Sequence, residues 1–181
     1  MRHVGLIGQA RSGKDTAASA LVRMRDYTRL AFADPLKSMA LNINPYIPTG
    51  YGVTVRLAPL IADVGWELAK DRYPEVRRIL QYVGQSIREQ DEDYWLNVLL
   101  RKVDGADRLN MPVVVTDVRY PNEADTLRAR GFTLVRIVRP EVAKAGAEVH
   151  ISERALNDYP ADVTIYNTAS VAELKSRILE A

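Results

Sequence analysis

Gly8-Gln9-Ala10-Arg11-Ser12-Gly13-Lys14 sets two glycines and a lysine at a spacing suited to the holding of a polyphosphate. Glycines at the first and sixth positions let backbone N–H groups turn toward phosphate oxygens. A helix beginning there adds a partial positive charge, and Lys14 adds a full one. This is the spacing of a Walker A loop. The stretch departs from that pattern one residue later, where Asp15 stands in place of the Ser or Thr that holds Mg²⁺, with Thr16 behind it. Asp15 either binds the metal, directly or through water, or caps the helix by accepting N–H bonds. Thr16 could donate to an α-phosphate. A plain glycine-rich turn is the alternative, and it leaves the lysine without a purpose.

A second group lies on the helix expected from Pro74 to about Gln90. Arg78, Gln81, Gln85 and Arg88 share one face, opposite the apolar stripe of Val76, Ile79, Leu80, Val83 and Ile87. Two guanidiniums with amides between them suit a phosphate at one end and a base edge at the other. Gly84 lies close to that face, where a missing side chain would let a flat group approach. A merely solvated helix face is the alternative. Asp117 closes a buried apolar strand, the place where a Walker B-like acid would hold Mg²⁺ or its water shell. Arg119 could lie over a transferring phosphoryl group, or form only a structural contact with Asp117. Arg139 closes the next strand and leads into a polar segment read as a lid, where arginines can neutralise charge developing on a γ-phosphate. Arg136 and Arg139 as surface charges are the alternative. Trp95 offers either a stacking surface for a base or a core residue.

These residues need elements to place them. A strand at His3 to Ile7 precedes the loop, and a helix follows to about Arg25, with Ala17, Leu21 and Met24 on one face. A strand over about Arg29 to Ala33 comes next, then a helix with Asp34 as N-cap and Pro35 at its first position. Pro45, Pro48, Gly50 and Gly52 mark a loop, and Pro59 to Asp71 could form a helix. After the Pro74 helix comes another from about Asp93 to Val103. Val113-Val114-Val115 reads as a strand buried on both faces, followed by a helix stopped at Gly131, and Thr133 to Val138 and Val163 to Tyr166 as strands. Ser170-Val171-Ala172-Glu173 is a capping box for the last helix. This alternation predicts an α/β, three-layer P-loop fold with a parallel sheet, whose ligands sit at the carboxyl ends of the strands. The expected layout is one domain, with its core over about 1–37 and 110–181, a helical insertion over about 38–109 and a short lid over about 139–160.

The bulk properties exclude several classes. Twenty-five basic and 23 acidic residues leave a net charge of +2, which provides no continuous basic stripe for a nucleic-acid polymer. The absence of cysteine rules out disulfides and thiolate metal sites and suits a reducing cytoplasm. No apolar run approaches the roughly 20 residues that span a bilayer, and the first apolar strand is too brief for a signal peptide. With two histidines, a histidine-based metal site is not expected, and His150 reads as a hydrogen-bonded lid or capping residue.

Arg11-Ser12-Gly13-Lys14-Asp15-Thr16, followed by Ala33-Asp34-Pro35-Leu36-Lys37, resembles the phage deoxynucleoside monophosphate kinase family. Leu80-Gln81-Tyr82-Val83-Gly84-Gln85, Tyr94-Trp95, Asp117-Val118-Arg119-Tyr120-Pro121-Asn122-Glu123 and His150-Ile151-Ser152-Glu153 extend the likeness in order along nearly the whole chain, as does Asn167-Thr168-Ala169-Ser170. The resemblance implies phosphoryl transfer from ATP to a deoxynucleoside monophosphate (dNMP), dependence on Mg²⁺ and a five-stranded parallel sheet. It implies catalytic places for Lys14, Asp117, Arg119 and Arg139, and metal contacts, direct or through water, from Asp15 and Asp117. ATP would meet Arg11, Ser12, Gly13, Lys14, Asp15, Thr16 and Asn167, the last following the final strand, where such kinases often place adenine. The acceptor would meet Lys37, Arg78, Gln81, Gly84, Gln85, Arg88 and Trp95. Lys37 fits this reading because the first turn of a helix is an electrostatically poor place for a cation; a plain surface lysine is the alternative. The implied partners are small molecules, with no nucleic-acid polymer and no membrane; a homodimer is compatible, and the compartment is the cytoplasm, of the host for a phage protein. Competing readings are another small-molecule P-loop kinase, acting on dephospho-coenzyme A or phosphomevalonate, and a non-catalytic ATP-binding module.

Overall fold

The computed structural model describes residues 3–140 and 155–181. Within it Met1–Phe32 and Leu99–Ala181 form one compact unit, and Ala33–Val98 forms another.

The first unit is built on five parallel strands in the order β2-β5-β1-β6-β7: β1 (Val4–Ile7), β2 (Thr28–Leu30), β5 (Val113–Val115), β6 (Thr133–Val138) and β7 (Val163–Tyr166). Val4 pairs with both Val114 and Thr133, so β1 occupies the centre of the sheet. All four of its residues are buried, as are all three of β5, which explains why both read as unbroken apolar runs. Helix α1 (Lys14–Arg25) buries Ala17, Ala18, Ala20 and Leu21, and its small residues bring the helix close to the sheet. These side chains share a core with Leu6, Val135, Ile137 and Ile165, and with Leu174 and Ile178 of the last helix, α7 (Val171–Glu180). Ser170 caps α7 by accepting the Glu173 N–H at 3.2 Å, half of the expected capping box, while the Glu173 carboxylate pairs with Arg177. Helix α6 (Pro121–Ala129) follows β5.

The second unit contains α2 (Ala33–Ile43), β3 (Tyr46–Gly50), β4 (Val53–Arg56), α3 (Leu57–Arg72) and α4 (Pro74–Gln90), and α5 (Tyr94–Arg108) begins in it. Ala40, Ile47, Leu57, Leu60, Ala69 and Val76 form its core.

Three local expectations change. Strand β2 ends at Leu30, and α2 starts at Ala33, so Asp34 lies in the first helical turn and is not the N-cap. The stretch read as a loop is an antiparallel hairpin, with Tyr46 opposite Arg56 and Ile47 opposite Val55. Pro48 is tolerated because each strand of a two-stranded ribbon has one side free of ladder bonds. Tyr51 (φ 49°) and Gly52 (φ 75°) make the reversal. Finally, α3 is broken at Gly65 (φ 75°, ψ 166°) into two helical pieces. Among the described residues no helix is long and apolar enough to cross a membrane. His150 and most of the segment read as a lid lie outside the described residues.

Candidate active site

Because the strands of the first unit are parallel, their carboxyl ends share one edge of the sheet. Gly8 follows β1, Asp117 lies beyond β5, Arg139 follows β6 and Asn167 follows β7. The topology thus brings four separate sequence segments to one place, as the carboxyl-edge rule anticipates.

Between β1 and α1 the chain adopts a conformation that side chains oppose. Gly8 (φ 139°) and Gly13 (φ 108°) are left-handed, and Arg11 (φ 60°) joins them at some conformational cost. A Cβ on Gly8 would lie 2.4 Å from the Ile137 carbonyl oxygen, and one on Gly13 would lie 2.7 Å from Asn167 Nδ2. Both glycines are therefore required by contact as well as by φ. Gly13 is the N-cap of α1, so Asp15 is not the capping residue; it sits exposed in the first turn, where a negative charge is favourable. Lys14 folds over the loop, its Nζ donating to the carbonyls of Gly8 and Gln9, each at 2.7 Å. Ser12 is buried, and its hydroxyl has no hydrogen-bond partner among the described residues.

A cavity of about 390 Å³ opens beside the loop, lined by Arg11, Lys14, Asp15, Thr16, Arg139 and Asn167 among others. A recess of about 20 Å³ is also lined by Lys14 and brings in Gly8, Arg119 and Arg136. Cations thus converge from three segments on a site where, among the described residues, Asp15 supplies the single lining carboxylate. That composition suits a polyanion. Asp117 does not line either cavity; its Oδ1 accepts the Phe32 N–H at 2.8 Å and so ties the end of β2 to the end of β5.

Glu123, given no role by the sequence, and Arg136, read as a lid arginine or a surface charge, hold this region in shape. Glu123 is 1% exposed, and its Oε2 accepts the backbone N–H groups of Arg119 (2.8 Å) and Tyr120 (3.1 Å). Its position at the third residue of α6, after Pro121, was the available signal. Arg136 donates to the Leu156 carbonyl at 2.9 Å and to that of Tyr159, and burial lowers its pKa. It is thus a tether for residues 156–159 and not a loose surface charge.

In the second unit, Arg78, Gln81 and Gln85 are exposed on one face of α4, and Arg88 is half-buried. Arg78 forms a two-point pair with Glu75, Nε–Oε2 2.7 Å and Nη2–Oε1 2.6 Å, which holds the Glu75 carboxyl below its ordinary range. One expectation for this unit is corrected, and of the two readings of Trp95 the buried one holds. Gly84 does not open a space for a flat ligand, because a Cβ there would meet Leu36 Cδ2 at 3.3 Å; the glycine lets α2 approach α4. Trp95 is 4% exposed, with its indole N–H donated to the Gly84 carbonyl at 3.1 Å, so its ring is not a stacking surface. Lys37 Nζ instead stands 5.7 Å from the ring centroid of Trp66, an aromatic residue the sequence did not single out.

The central strand, its left-handed glycines and the lysine folded over the loop define a P-loop nucleotide-binding protein of the small-kinase architecture. The fold is shared with the dephospho-CoA kinase of Campylobacter jejuni (TM-score 0.54, 11% identity, 99% of this chain and 95% of that one). It is shared too with a sugar kinase from Janibacter sp. HTCC2649 (TM-score 0.52, 18% identity, 99% and 93%). The chain belongs to the deoxynucleotide monophosphate kinase family, whose model matches residues 53–178. That match excludes Gly8–Lys14, so the family and the loop are independent lines of support. A protein of Acanthamoeba polyphaga mimivirus, provisionally named for the same kinase, is 29% identical over 97% of this chain and 93% of its own. The deoxynucleotide monophosphate kinase of Enterobacteria phage T4 is 34% identical over 57% of this chain. The matched stretch spans 43% of the T4 protein's length.

Proposed function

We propose that this protein transfers the γ-phosphoryl group of ATP to a deoxynucleoside monophosphate, giving ADP and a deoxynucleoside diphosphate. The observation that carries the reading is the loop cavity, where Lys14, Arg11 and Arg139 line one space and Lys14 and Arg119 line the next. Membership of the family supplies the acceptor class.

An acceptor phosphate oxygen forms a bond to the γ-phosphorus as the bond from that phosphorus to the β,γ-bridging oxygen breaks, and ADP departs with the electron pair. Such a transfer needs positioning and charge neutralisation more than covalent chemistry. Lys14 would exchange its two loop carbonyls for phosphate oxygens, and Arg119 and Arg139 would balance the charge that develops. Gly13 and its neighbours would donate N–H groups to the β-phosphate. Arg78, Gln81, Gln85 and Arg88 are proposed to hold the acceptor, with Lys37 reaching its phosphate.

Among the described residues no three acidic or histidine side chains cluster as a metal cage. Mg²⁺ that arrives on a nucleotide needs only one or two carboxylates, and exposed Asp15 on the cavity wall fits that need, with Asp117, outside the lining, as a second candidate. When bound, the ion would supply neutralisation of phosphate charge.

The test is an ADP-release assay with each of the four dNMPs, dephospho-coenzyme A, phosphomevalonate and no acceptor. Turnover confined to dNMPs is expected. Turnover on either other acceptor would reassign the substrate, and ATP binding without turnover on any acceptor would favour a non-catalytic module.

A further inference from the structure

We propose that Asn167 is a positioning residue that aims the Gly13 amide into the phosphate cradle; this rests on reading the loop cavity as the ATP site. Two sets of contacts fix Asn167. Its own N–H donates to the Val138 carbonyl at 2.7 Å, which ties the turn after β7 to the end of β6. Its side-chain Nδ2 donates to the Ser12 carbonyl at 2.9 Å. The Ser12–Gly13 peptide is trans, and in a trans peptide the C=O and N–H groups point in opposite directions. Holding the Ser12 oxygen against Asn167 therefore turns the Gly13 N–H the other way, the side on which the phosphates would lie.

A separate observation shows the two positions to be matched. A Cβ on Gly13 would stand 2.7 Å from Asn167 Nδ2 and 3.0 Å from Leu174 Cδ2. The amide reaches the Ser12 carbonyl only because residue 13 lacks a side chain. Asn167 thus acts on the nucleotide's phosphates through the loop, by way of the side-chain N–H that it donates to the Ser12 carbonyl.

The test compares wild type, Asn167→Ala and Asn167→Asp in calorimetric titrations with inorganic tripolyphosphate and with ADP. Asp keeps the shape, loses the donor and sets a carboxylate against the Ser12 carbonyl. Both ligands should weaken by the same factor, on the order of tenfold for Ala and more for Asp, the scale of one aimed hydrogen bond. A loss for ADP with tripolyphosphate unchanged would place Asn167 on the base and overturn the proposal, as would no loss for either ligand. In wild-type protein, the Gly13 amide resonance should shift on addition of tripolyphosphate; an unmoved resonance overturns the proposal whatever the variants' stability. Neither measurement uses an acceptor. Failure of every dNMP as substrate would therefore remove the proposed reaction and leave this result standing.

Discussion

The loop cavity of the first unit and the polar face of α4 in the second are both rich in cations, yet they are built by opposite means. At the loop, the geometry resides in the backbone. Two glycines sit where neighbouring atoms forbid a Cβ, the Ser12 carbonyl is held by Asn167, and the Arg119 N–H is held by the buried Glu123. On α4 the geometry resides in long exposed side chains. Arg78 is steadied by Glu75 one helical turn away, and Gln85 by Glu89 at 3.3 Å. Contacts of that kind are screened by solvent and individually weak. The loop should therefore behave as a preorganised donor array, and α4 as an adaptable grip.

The largest break in this comparison is Lys14→Ala. Removing a lysine shared by both cavities should lower kcat about 10²–10³-fold or more, the scale set by loss of a single preorganised donor. Its two carbonyl partners remain solvated at the loop, so stability should fall by no more than about 1 kcal/mol in a denaturant melt. Near-normal turnover in this variant would remove the site. Gly8→Ala tests the backbone half directly. Its Cβ would meet a main-chain carbonyl oxygen at 2.4 Å in a left-handed conformation, and neither can yield cheaply. A loss of roughly 3 kcal/mol of stability is expected, with activity lost as the loop shifts. A variant as stable as wild type would show that the loop is not held as tightly as its contacts require.

The same division governs what could be read from the sequence. The loop was legible because glycine and lysine at fixed spacing carry a backbone requirement that survives without knowledge of the rest of the fold. Strands β5, β6 and β7 were legible as short apolar runs bounded by turn residues, and α4 by its period. The hairpin at Tyr46–Arg56 was not, because Pro48 and the glycines around Tyr51 signal a turn without revealing that the flanking residues pair. Gly84 was misread, and Trp95 was left open between stacking and burial, for a related reason. Helical spacing shows which face a residue shares, but the neighbour that fills the space, Leu36 for one and the Gly84 carbonyl for the other, comes from elsewhere in the chain. Glu123 had a visible signal in its spacing from Tyr120, yet its burial depends on packing that spacing alone does not specify.

A smaller effect is expected on α4. Arg78→Ala should raise the acceptor's KM about tenfold while leaving that of ATP and the melting temperature unchanged, because the side chain is exposed and its tie is local. Glu75→Gln sharpens the point in the opposite direction. The Glu75 carboxyl is held below its ordinary value of 4.5, chiefly by its hydrogen bond from Arg78. The pair is therefore intact at neutral pH, and its small contribution is lost only as the pH falls through that lowered value. Removing the charge at neutral pH frees Arg78, and the acceptor's KM should fall slightly. Equal effects of Arg78→Ala on both substrates would show that α4 does not grip the acceptor.

The smallest effect reverses the usual sign. Ser12 lies in the middle of the loop, 1% exposed, and its hydroxyl is buried without a hydrogen-bond partner among the described residues. It stands 3.2 Å from where a Cβ on Gly8 would be, so the space there admits a small group and little else. A buried, unsatisfied hydroxyl costs about 1–3 kcal/mol, and removing it leaves a void smaller than a methyl group. The contact that matters at this residue runs from Asn167 to the Ser12 main-chain carbonyl, which a side-chain substitution leaves in place. Ser12→Ala should therefore raise stability by about 1 kcal/mol, a shift of a few degrees in a thermal melt. A loss of similar size would mean that the hydroxyl has a partner in solution, and that the loop is held in part by a side chain after all.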